Sequence, residues 1–163
     1  MKLLLRTADE EDWDQIKSIY LEGISTGNTT FQTEAPSMEQ WFSGHVSECS
    51  IVGVEDGRIC GWASLSRIST RLVYSGVAEV SIYIKQTERN KGIGNTLMNE
   101  LIIRSEQNGF WTLQSGIFPE NVPSLRLHYK FGFREVGRRE KLGKMNDTWR
   151  DVLLLERRSR IFN

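Results

Sequence analysis

The chain has 163 residues, of which 21 are basic and 21 acidic, so its formal net charge is zero and its isoelectric point lies near 6.8. This balance argues against the broad basic surface of a nucleic-acid-binding protein. No uncharged apolar run approaches the roughly 18–20 residues of a membrane span. The length and the 39% hydrophobic content fit one domain with a core, covering residues 1–163. We therefore expect a cytoplasmic protein with no nucleic-acid or membrane partner.

Charge is unevenly distributed along the chain. Residues 1–60 carry 4 basic and 11 acidic side chains, residues 61–133 carry 8 and 5, and residues 134–163 carry 9 and 5. Two interpretations remain open: faces of opposite charge that are simply solvated, or an anionic ligand bound by the C-terminal half.

The two cysteines, Cys49 and Cys60, lie on either side of the turn signal Asp56-Gly57, which predicts a hairpin with a two-residue loop. In that register Cys60 lies opposite Gly53, so we expect no disulfide with Cys49. Unpaired thiols suit a reducing compartment. Since the chain has only two histidines and no Cys/His cluster, we expect no metal site.

The first part of the chain predicts one strand, two helices and the hairpin. Residues 2–6 predict a strand, and the capped, acidic segment 7–10 marks the start of a helix. Small and polar residues over 23–37 predict a loop, followed by a second helix around 38–46. The hairpin covers residues 49–55 and 58–66.

The middle of the chain alternates strand, helix and strand. Residues 77–84 predict a strand with its apolar side chains on one face and Glu79 on the other. Residues 91–108 have a strong helical periodicity, and Asn108-Gly109 marks the end of that helix. Residues 112–118 predict a buried strand. This order implies that the two strands are parallel.

A short helix and two strands complete the predicted elements. Asn121 is a candidate N-cap, with Pro123 in the first helical turn and Gly132 at the end. Residues 133–142 and 148–156 predict two strands around a turn. Together the elements predict a mixed α/β fold.

The segment Arg89-Asn90-Lys91-Gly92-Ile93-Gly94 lies between the strand 77–84 and the strong helix. Glycines at a helix start let the backbone approach a ligand, and the free N–H groups with the positive end of the helix dipole favour a phosphate. The spacing matches neither the dinucleotide fingerprint nor the nucleotide-binding P-loop. A glycine-rich helix cap without a ligand is the alternative.

This segment resembles the pyrophosphate loop of the GNAT superfamily of acyl-CoA N-acyltransferases, Arg/Gln-x-x-Gly-x-Gly/Ala, at Arg89, Gly92 and Gly94. The segment 121–133 is similar to the family's second cofactor segment. The resemblance implies a mixed, mostly antiparallel sheet flanked by helices, in which a parallel strand pair splays apart to admit acetyl-CoA. It also implies acetyl-CoA as cosubstrate, with no metal.

A subfamily resemblance rests on Arg71-x-x-Tyr74, on residues 78–84, on Thr30-Phe31-x-Thr33-Glu34 and on Trp149-Arg150-Asp151-Val152. These segments resemble the phosphinothricin and methionine sulfoximine N-acetyltransferases. The resemblance implies acetyl transfer to the amine of a small amino-acid-like acceptor, by direct attack in a ternary complex. It also implies a homodimer. The alternatives are an acetyltransferase for a polyamine, an antibiotic amine or a protein N-terminus, and a non-catalytic acyl-CoA sensor.

The resemblance assigns the cofactor to the strand before the loop, to the loop itself and to the second segment. The residues concerned are Ile82, Tyr83, Ile84, Arg89, Asn90, Lys91, Gly92, Ile93, Gly94, Asn95, Asn121 and Ser124. Asn90 departs from the family pattern, which often has Gly or Arg there. Residues 67–69 also depart from it, which leaves the acceptor preference open.

Glu79 is the candidate general base. An α-ammonium group must lose a proton before it can attack a thioester. Glu79 lies on the face of its strand away from the core, and a partly desolvated carboxylate has the raised pKa that this role needs. The family's proposed base also falls on Glu79, whereas an ordinary surface carboxylate is the alternative.

His128 stands where many superfamily members carry a tyrosine that protonates the departing thiolate. As an imidazolium it would supply that proton; as a neutral ring it would share the base role. A helix histidine with a purely structural role is the third possibility. Tyr83 and Tyr129 are weaker acid candidates.

The acceptor would meet five further residues besides Glu79. Arg71 would pair with an α-carboxylate, because a planar guanidinium binds two oxygens at once. Phe31 and Tyr74 would form walls, while Ser81 and Tyr83 would contact polar groups. Ordinary packing or surface roles are the alternative for these residues.

Overall fold

The computed structural model describes residues 2–163, which contain seven strands and four α-helices. The elements are β1 (Leu4–Thr7), α1 (Trp13–Ser25), α2 (Met38–Gly44), β2 (Ile51–Glu55), β3 (Arg58–Arg67), β4 (Val77–Ile84), α3 (Ile93–Gln107), β5 (Thr112–Ile117), α4 (Val122–Lys130), β6 (Arg134–Met145) and β7 (Thr148–Arg158). All strands lie in one sheet, in the order β1-β2-β3-β4-β5-β7-β6. No helix in the described residues is both long enough and apolar enough to cross a membrane.

The parallel pair β4–β5 is the feature that positions the site. Its register begins at Val77↔Thr112 and ends at Glu79↔Gln114, whereas every other neighbouring pair is antiparallel. Beyond Glu79 the two strands separate, so the backbone of β4 from residue 80 onward has no partner on this side. The predicted splayed parallel pair in a mostly antiparallel sheet is confirmed.

Both faces of the sheet are covered. The face against α3 holds the larger core, with Leu97, Met98 and Leu101 of the helix fully buried. Their spacing of three and four residues is what directs them to one helix face. The opposite face packs against α1 and α2 through a second cluster that includes Ile16 and Trp62. Glu79 points to this second face, as predicted from the alternation in β4.

A partly buried ion pair lies at the start of α1. Asp9 caps a 3-10 turn, Glu10–Asp12, that leads into the helix. The carboxylate of Asp12, 5% exposed, accepts two hydrogen bonds from the Arg6 guanidinium at 2.7 and 2.8 Å. It also accepts one from the Asp9 backbone N–H at 2.9 Å. The Arg6 hydrogen bond is the main cause of the lowered pKa of Asp12.

We expect Asp12→Asn to lower the free energy of unfolding by about 1–2 kcal/mol at pH 7, because a partner is removed from a hydrogen-bonded charge. Since the folded-state pKa of Asp12 is lowered, its contribution is complete above the ordinary carboxyl pKa and is lost as pH falls through the folded value. Urea unfolding at several pH values measures this difference. The exposed Asp14→Asn is the control; an equal loss there would contradict the expectation.

The hairpin between β2 and β3 differs from the predicted register. Gly53 pairs with Gly61, not with Cys60, because a β-bulge inserts Cys60 as an extra residue. The prediction that Cys60 lies opposite Gly53 is therefore wrong. Both cysteines are nevertheless free, as expected, and both are buried.

Element ends shift by a few residues from the predicted bounds. The second helix ends at Gly44 instead of residue 46, and the last two strands extend to Met145 and Arg158. Their turn, Asn146-Asp147, has positive φ values of 48° and 64°, which match the tight hairpin turn that suits twisted strands. The long β6–β7 ribbon that results forms one edge of the sheet.

Candidate active site

The loop before α3 presents free backbone donors. Gly92 precedes the helix with a φ of +81°, and Asn90 has a φ of +64°. The left-handed region explains why Asn, which tolerates it better than most residues, stands at position 90. The first intrahelical bond runs from Thr96 N to Gly92 O at 3.2 Å. The N–H groups of the three residues before Thr96 therefore have no acceptor within the helix.

A groove of about 990 Å³ connects this loop with the splayed strands. Most of the predicted site residues line it. They are Phe31, Glu79, Ser81, Ile82, Tyr83, Ile84, Arg89, Asn90, Gly92, Ile93, Gly94, Asn95, Asn121, Ser124 and His128. Lys91, Arg71 and Tyr74 do not line it. The ammonium group of Lys91 instead pairs with the carboxylate of Glu88 at 2.8 Å.

Glu79 lies at the point where β4 and β5 part. Its neighbour in the parallel register is Gln114, and its antiparallel neighbour on β3 is Ser66; all three line the groove. The side chain remains open to solvent, yet the groove walls desolvate it partly. This desolvation raises the pKa of Glu79 above the usual value for a glutamate.

His128 is buried on α4 and is held in one orientation. Its Nδ1 lies 2.7 Å from the carbonyl oxygen of Ser124, which only accepts, so Nδ1 carries the proton and donates. The neutral ring then has an acceptor lone pair at Nε2, and this atom is buried with no hydrogen-bond partner. Burial lowers the pKa of His128, which favours the neutral form.

Three buried side-chain polar atoms in residues 2–163 have no hydrogen-bond partner: Thr29 Oγ1, Trp41 Nε1 and His128 Nε2. All three residues line the groove. Native proteins rarely leave such atoms unpaired. A ligand or water bound in this groove would supply the missing partners.

Aromatic side chains shape the wall around Glu79. The ring of Tyr83 stacks on Trp62 at 4.9 Å and meets Tyr20 edge-on at 5.0 Å. Burial raises the pKa of Tyr83, so its hydroxyl keeps its proton at neutral pH. On the other side Phe31 meets Phe118 edge-on at 4.9 Å.

Arg71 and Tyr74 lie outside the groove, on the connection between β3 and β4. This connection contains a solvent-exposed 3-10 turn, Leu72–Tyr74, and the Arg71 guanidinium lies 5.3 Å from the Tyr74 ring. Arg71 lines a separate shallow groove with Arg67. The structure therefore does not bring the predicted carboxylate-binding residue to the Glu79 site of its own chain.

Sequence reasoning missed several residues that line the groove, among them Thr29, Trp41, His45, Gln114 and Arg139. Trp41 and His45 belong to α2 and the residue after it, far from the matched motifs in the chain. No local pattern marks these residues. The strand alternation of β5, in contrast, places Gln114 and Gly116 on one face of the sheet. This alternation is the one sequence signal that could have identified Gln114 as a groove residue.

Comparison with known proteins decides the family. A family model described as an acetyltransferase (GNAT) domain matches residues 5–154. The chain belongs to the GNAT acetyltransferase family. The predicted family and fold are thus confirmed, and this GNAT protein is an acetyltransferase with acetyl-CoA as its cosubstrate.

Three relatives illustrate the likeness of this GNAT protein to its family. A Bacillus subtilis protein named "Putative phosphinothricin acetyltransferase YwnH" is 34% identical, spanning 95% of this chain and 98% of that protein. An L-methionine sulfoximine/L-methionine sulfone acetyltransferase of Pseudomonas aeruginosa is 27% identical over 96% of this chain and 94% of its own length. The crystal structure of a phosphinothricin acetyltransferase from Sinorhizobium meliloti in complex with acetyl-CoA has 29% identity and a TM-score of 0.87, covering 97% of this chain and 89% of that one.

Proposed function

We propose that this protein transfers the acetyl group of acetyl-CoA to the amine of a small amino-acid-like acceptor of the phosphinothricin or methionine sulfoximine type. Donor and acceptor bind together, and the amine attacks directly. One observation carries the proposal: Glu79, with a raised pKa, shares a groove with the free amides at the start of α3. The names of the relatives supply the acceptor class.

The residues present fit acetyl-CoA. The backbone amides of Ile93, Gly94 and Asn95 suit a pyrophosphate, since free N–H groups and the helix dipole both favour negative charge. The backbone of β4 beyond Glu79 has no partner toward β5 and suits the amide-containing arm of the cofactor. When bound, acetyl-CoA supplies an activated acetyl thioester.

Glu79 serves as the general base. Its carboxylate removes one proton from the acceptor's ammonium group, which frees the nitrogen lone pair for attack. The ammonium group loses two protons as the amide forms. One of them ends on the thiol of CoA and the other in solvent, so the reaction releases one net proton.

His128 acts as a hydrogen-bond acceptor in this proposal, not as an acid. A neutral ring with the proton on Nδ1 has only a lone pair to offer at Nε2. Of the acid candidates, Tyr83 lines the groove and keeps its proton because its pKa is raised. Tyr129 is exposed and does not line the groove. Tyr83 is therefore the better hydrogen-bond donor to the departing sulfur.

A homodimer and a cytoplasmic location complete the proposal. Leu72 and Val73 are strongly exposed on the β3–β4 connection, and such apolar surface suits a contact between two copies. The two free thiols, Cys49 and Cys60, agree with a reducing compartment.

Thiol release from acetyl-CoA tests the function. We expect turnover with phosphinothricin, methionine sulfoximine or methionine sulfone, and little with spermidine or a peptide with a free N-terminus. Turnover only on the polyamine or the peptide would overturn the acceptor class. Calorimetric binding of acetyl-CoA without thiol release for any amine would favour a non-catalytic sensor.

A further inference from the structure

The loop between α1 and α2, residues 26–37, carries part of the groove lining but is not tied to the sheet by its backbone. Within residues 2–163 no backbone–backbone hydrogen bond joins residues 28–36 to a strand. Thr29 and Phe31 of this loop nevertheless line the groove. Side chains must therefore hold the loop against the sheet.

Arg150 of β7 supplies such a contact. One terminal nitrogen of its guanidinium, Nη1, donates to the Gly27 carbonyl oxygen at 2.8 Å, and the other, Nη2, donates to Asn28 Oδ1 at 2.9 Å. Nη2 also lies 3.5 Å from the exposed carboxylate of Glu120. The Arg150 side chain is 13% exposed, so water competes little for its hydrogen bonds. A planar fork makes both bonds to the loop at once, which the single nitrogen of a lysine does not reproduce.

The same guanidinium connects the loop to the aromatic wall of the groove. It lies 4.1 Å from the centre of the Phe118 ring, a distance typical of a cation–π contact. Phe118 in turn meets Phe31 edge-on at 4.9 Å. Gly143 is the partner of Arg150 in the β6–β7 register, and a Cβ added to it would lie 2.9 Å from two atoms of the Phe31 ring. The position of Phe31 therefore depends on how this loop fits the β6–β7 ribbon.

Arg150 does not itself line the groove, so it acts on the groove through its neighbours. We propose that Arg150 is a positioning residue for the acceptor: it holds the loop between α1 and α2 on the β6–β7 ribbon and thereby fixes Phe31 as a wall of the acceptor site. This inference rests on the proposed function and on the expected place of Phe31 beside the acceptor. It assigns a role in the fold to the segment 149–152, which the sequence singles out only by resemblance.

Loss of this contact has a specific kinetic consequence. A loop that is held only part of the time offers the Phe31 wall in only a fraction of the enzyme molecules, and the apparent affinity for the acceptor falls by that fraction. A bound acceptor has already selected the held loop, so the reaction that follows proceeds at nearly the same rate. The KM for the acceptor should therefore rise while kcat changes little. Acetyl-CoA is assigned to other elements and should bind as before.

The test compares wild type, Arg150→Gln and the control Arg157→Gln. Arg157 also lies on β7, is similarly buried at 20% exposed, and donates to the Phe131 carbonyl oxygen at 3.0 Å, away from the loop. Thiol release is measured with methionine sulfone as the acceptor. Arg150→Gln should raise the KM about 10- to 100-fold, as expected for a lost hydrogen bond to a charged group, with kcat within about threefold. Arg157→Gln should lower Tm without raising the KM.

Asn28 allows a double-mutant cycle and a second route to the same contact. Asn28→Ala removes one acceptor of the Arg150 fork from an exposed position, so the variant should fold and should raise the KM less than Arg150→Gln does. Because both residues act through one contact, the double variant should match Arg150→Gln alone. Effects that multiply would show that Asn28 and Arg150 act separately, which contradicts the inference. Arg150→Lys should lie between wild type and Arg150→Gln.

Proteolysis of the free enzyme reads the position of the loop without any acceptor. Phe31 is the one aromatic residue in residues 26–37, so chymotrypsin can cleave this loop after it. Cleavage of a transiently opened segment follows the population of its open form. Cleavage after Phe31 should therefore be faster in Arg150→Gln and in Asn28→Ala than in wild type, and unchanged in Arg157→Gln.

Calorimetry with acetyl-CoA should give the same affinity in all of these enzymes. The inference is overturned if Arg150→Gln leaves the acceptor KM unchanged, weakens acetyl-CoA binding as well, or raises the KM without faster cleavage after Phe31. In those outcomes the wild type still acetylates amino acids, so the proposed function stands. If the wild type releases no thiol with any amine, the proposed function fails, whereas the cleavage rates still show whether Arg150 holds the loop.

Discussion

Replacement of Glu79 by glutamine is expected to lower kcat/KM for the acceptor by about 100- to 10,000-fold, the usual contribution of a positioned general base. Glutamine keeps the size and one carbonyl oxygen of the side chain but cannot take a proton. Binding of acetyl-CoA should be unchanged, because the amides before Thr96 do not depend on Glu79. Thiol release and calorimetry separate the two effects.

The pH profile makes this prediction specific. Since desolvation raises the pKa of Glu79 in the folded enzyme, wild-type activity should fall as pH drops through that raised value, where the carboxylate becomes protonated. In Glu79→Gln the inflection at the pKa of Glu79 should disappear. The remaining rate should instead follow the fraction of free amine across the whole range, rising about tenfold per pH unit up to the pKa of the acceptor's ammonium group.

Two further variants of acidic residues test whether charge alone explains the loss. Glu79→Asp keeps the carboxylate one methylene further from the acceptor and should retain an intermediate rate. Glu135→Gln removes the same charge from an exposed position on β6 outside the groove and should behave as wild type. A Glu79→Gln enzyme with full activity at every pH would exclude Glu79 as the base.

Much of the framework of this site is local in sequence and could be predicted. The alternation in residues 77–84 gives the face of Glu79, and the glycine spacing gives the start of α3. The strand–helix–strand order gives the parallel pair. Each inference needs only a short segment, because local periodicity and helix capping depend on neighbours in the chain.

The acceptor end of the groove could not be predicted, because distant segments form it. Trp41 and Thr29 reach the groove only through the packing of α1 and α2 on the second face of the sheet. The bulge at Cys60 lies opposite the step from Gly53 to Val54, and Gly61 next to it is the one sequence feature that could have indicated it.

Arg139 illustrates the same limit. The sequence shows an excess of basic side chains in residues 134–163, yet most of these side chains are solvated or form ion pairs, as Arg138 does with Asp151. Register shifts in β6, between Glu135 and Gly137 and between Arg139 and Gly143, decide which side chain faces the groove. A one-residue slip would exchange Arg138 and Arg139, since successive strand residues point to opposite faces.

Replacement of Gly92 by valine is expected to weaken acetyl-CoA binding by at least about tenfold. Gly92 has a φ of +81°, and an added Cβ would meet no atom within 4 Å, so the penalty is backbone strain without a clash. A left-handed conformation costs an ordinary L residue roughly 1–2 kcal/mol and a β-branched one more. The loop should relieve this strain by moving, which displaces the amides of Ile93 and Gly94 from the pyrophosphate.

Gly57 offers a matched control, because it combines the same strain with a remote location. It lies at the tip of the β2–β3 hairpin with a φ of +75° and likewise no atom within 4 Å of an added Cβ. Gly92→Val and Gly57→Val should therefore lower Tm by similar amounts, while only Gly92→Val should lose affinity in calorimetric titration with acetyl-CoA. If both variants lost affinity equally, global destabilisation would explain the result. If neither did, the amides at the start of α3 would not hold the cofactor.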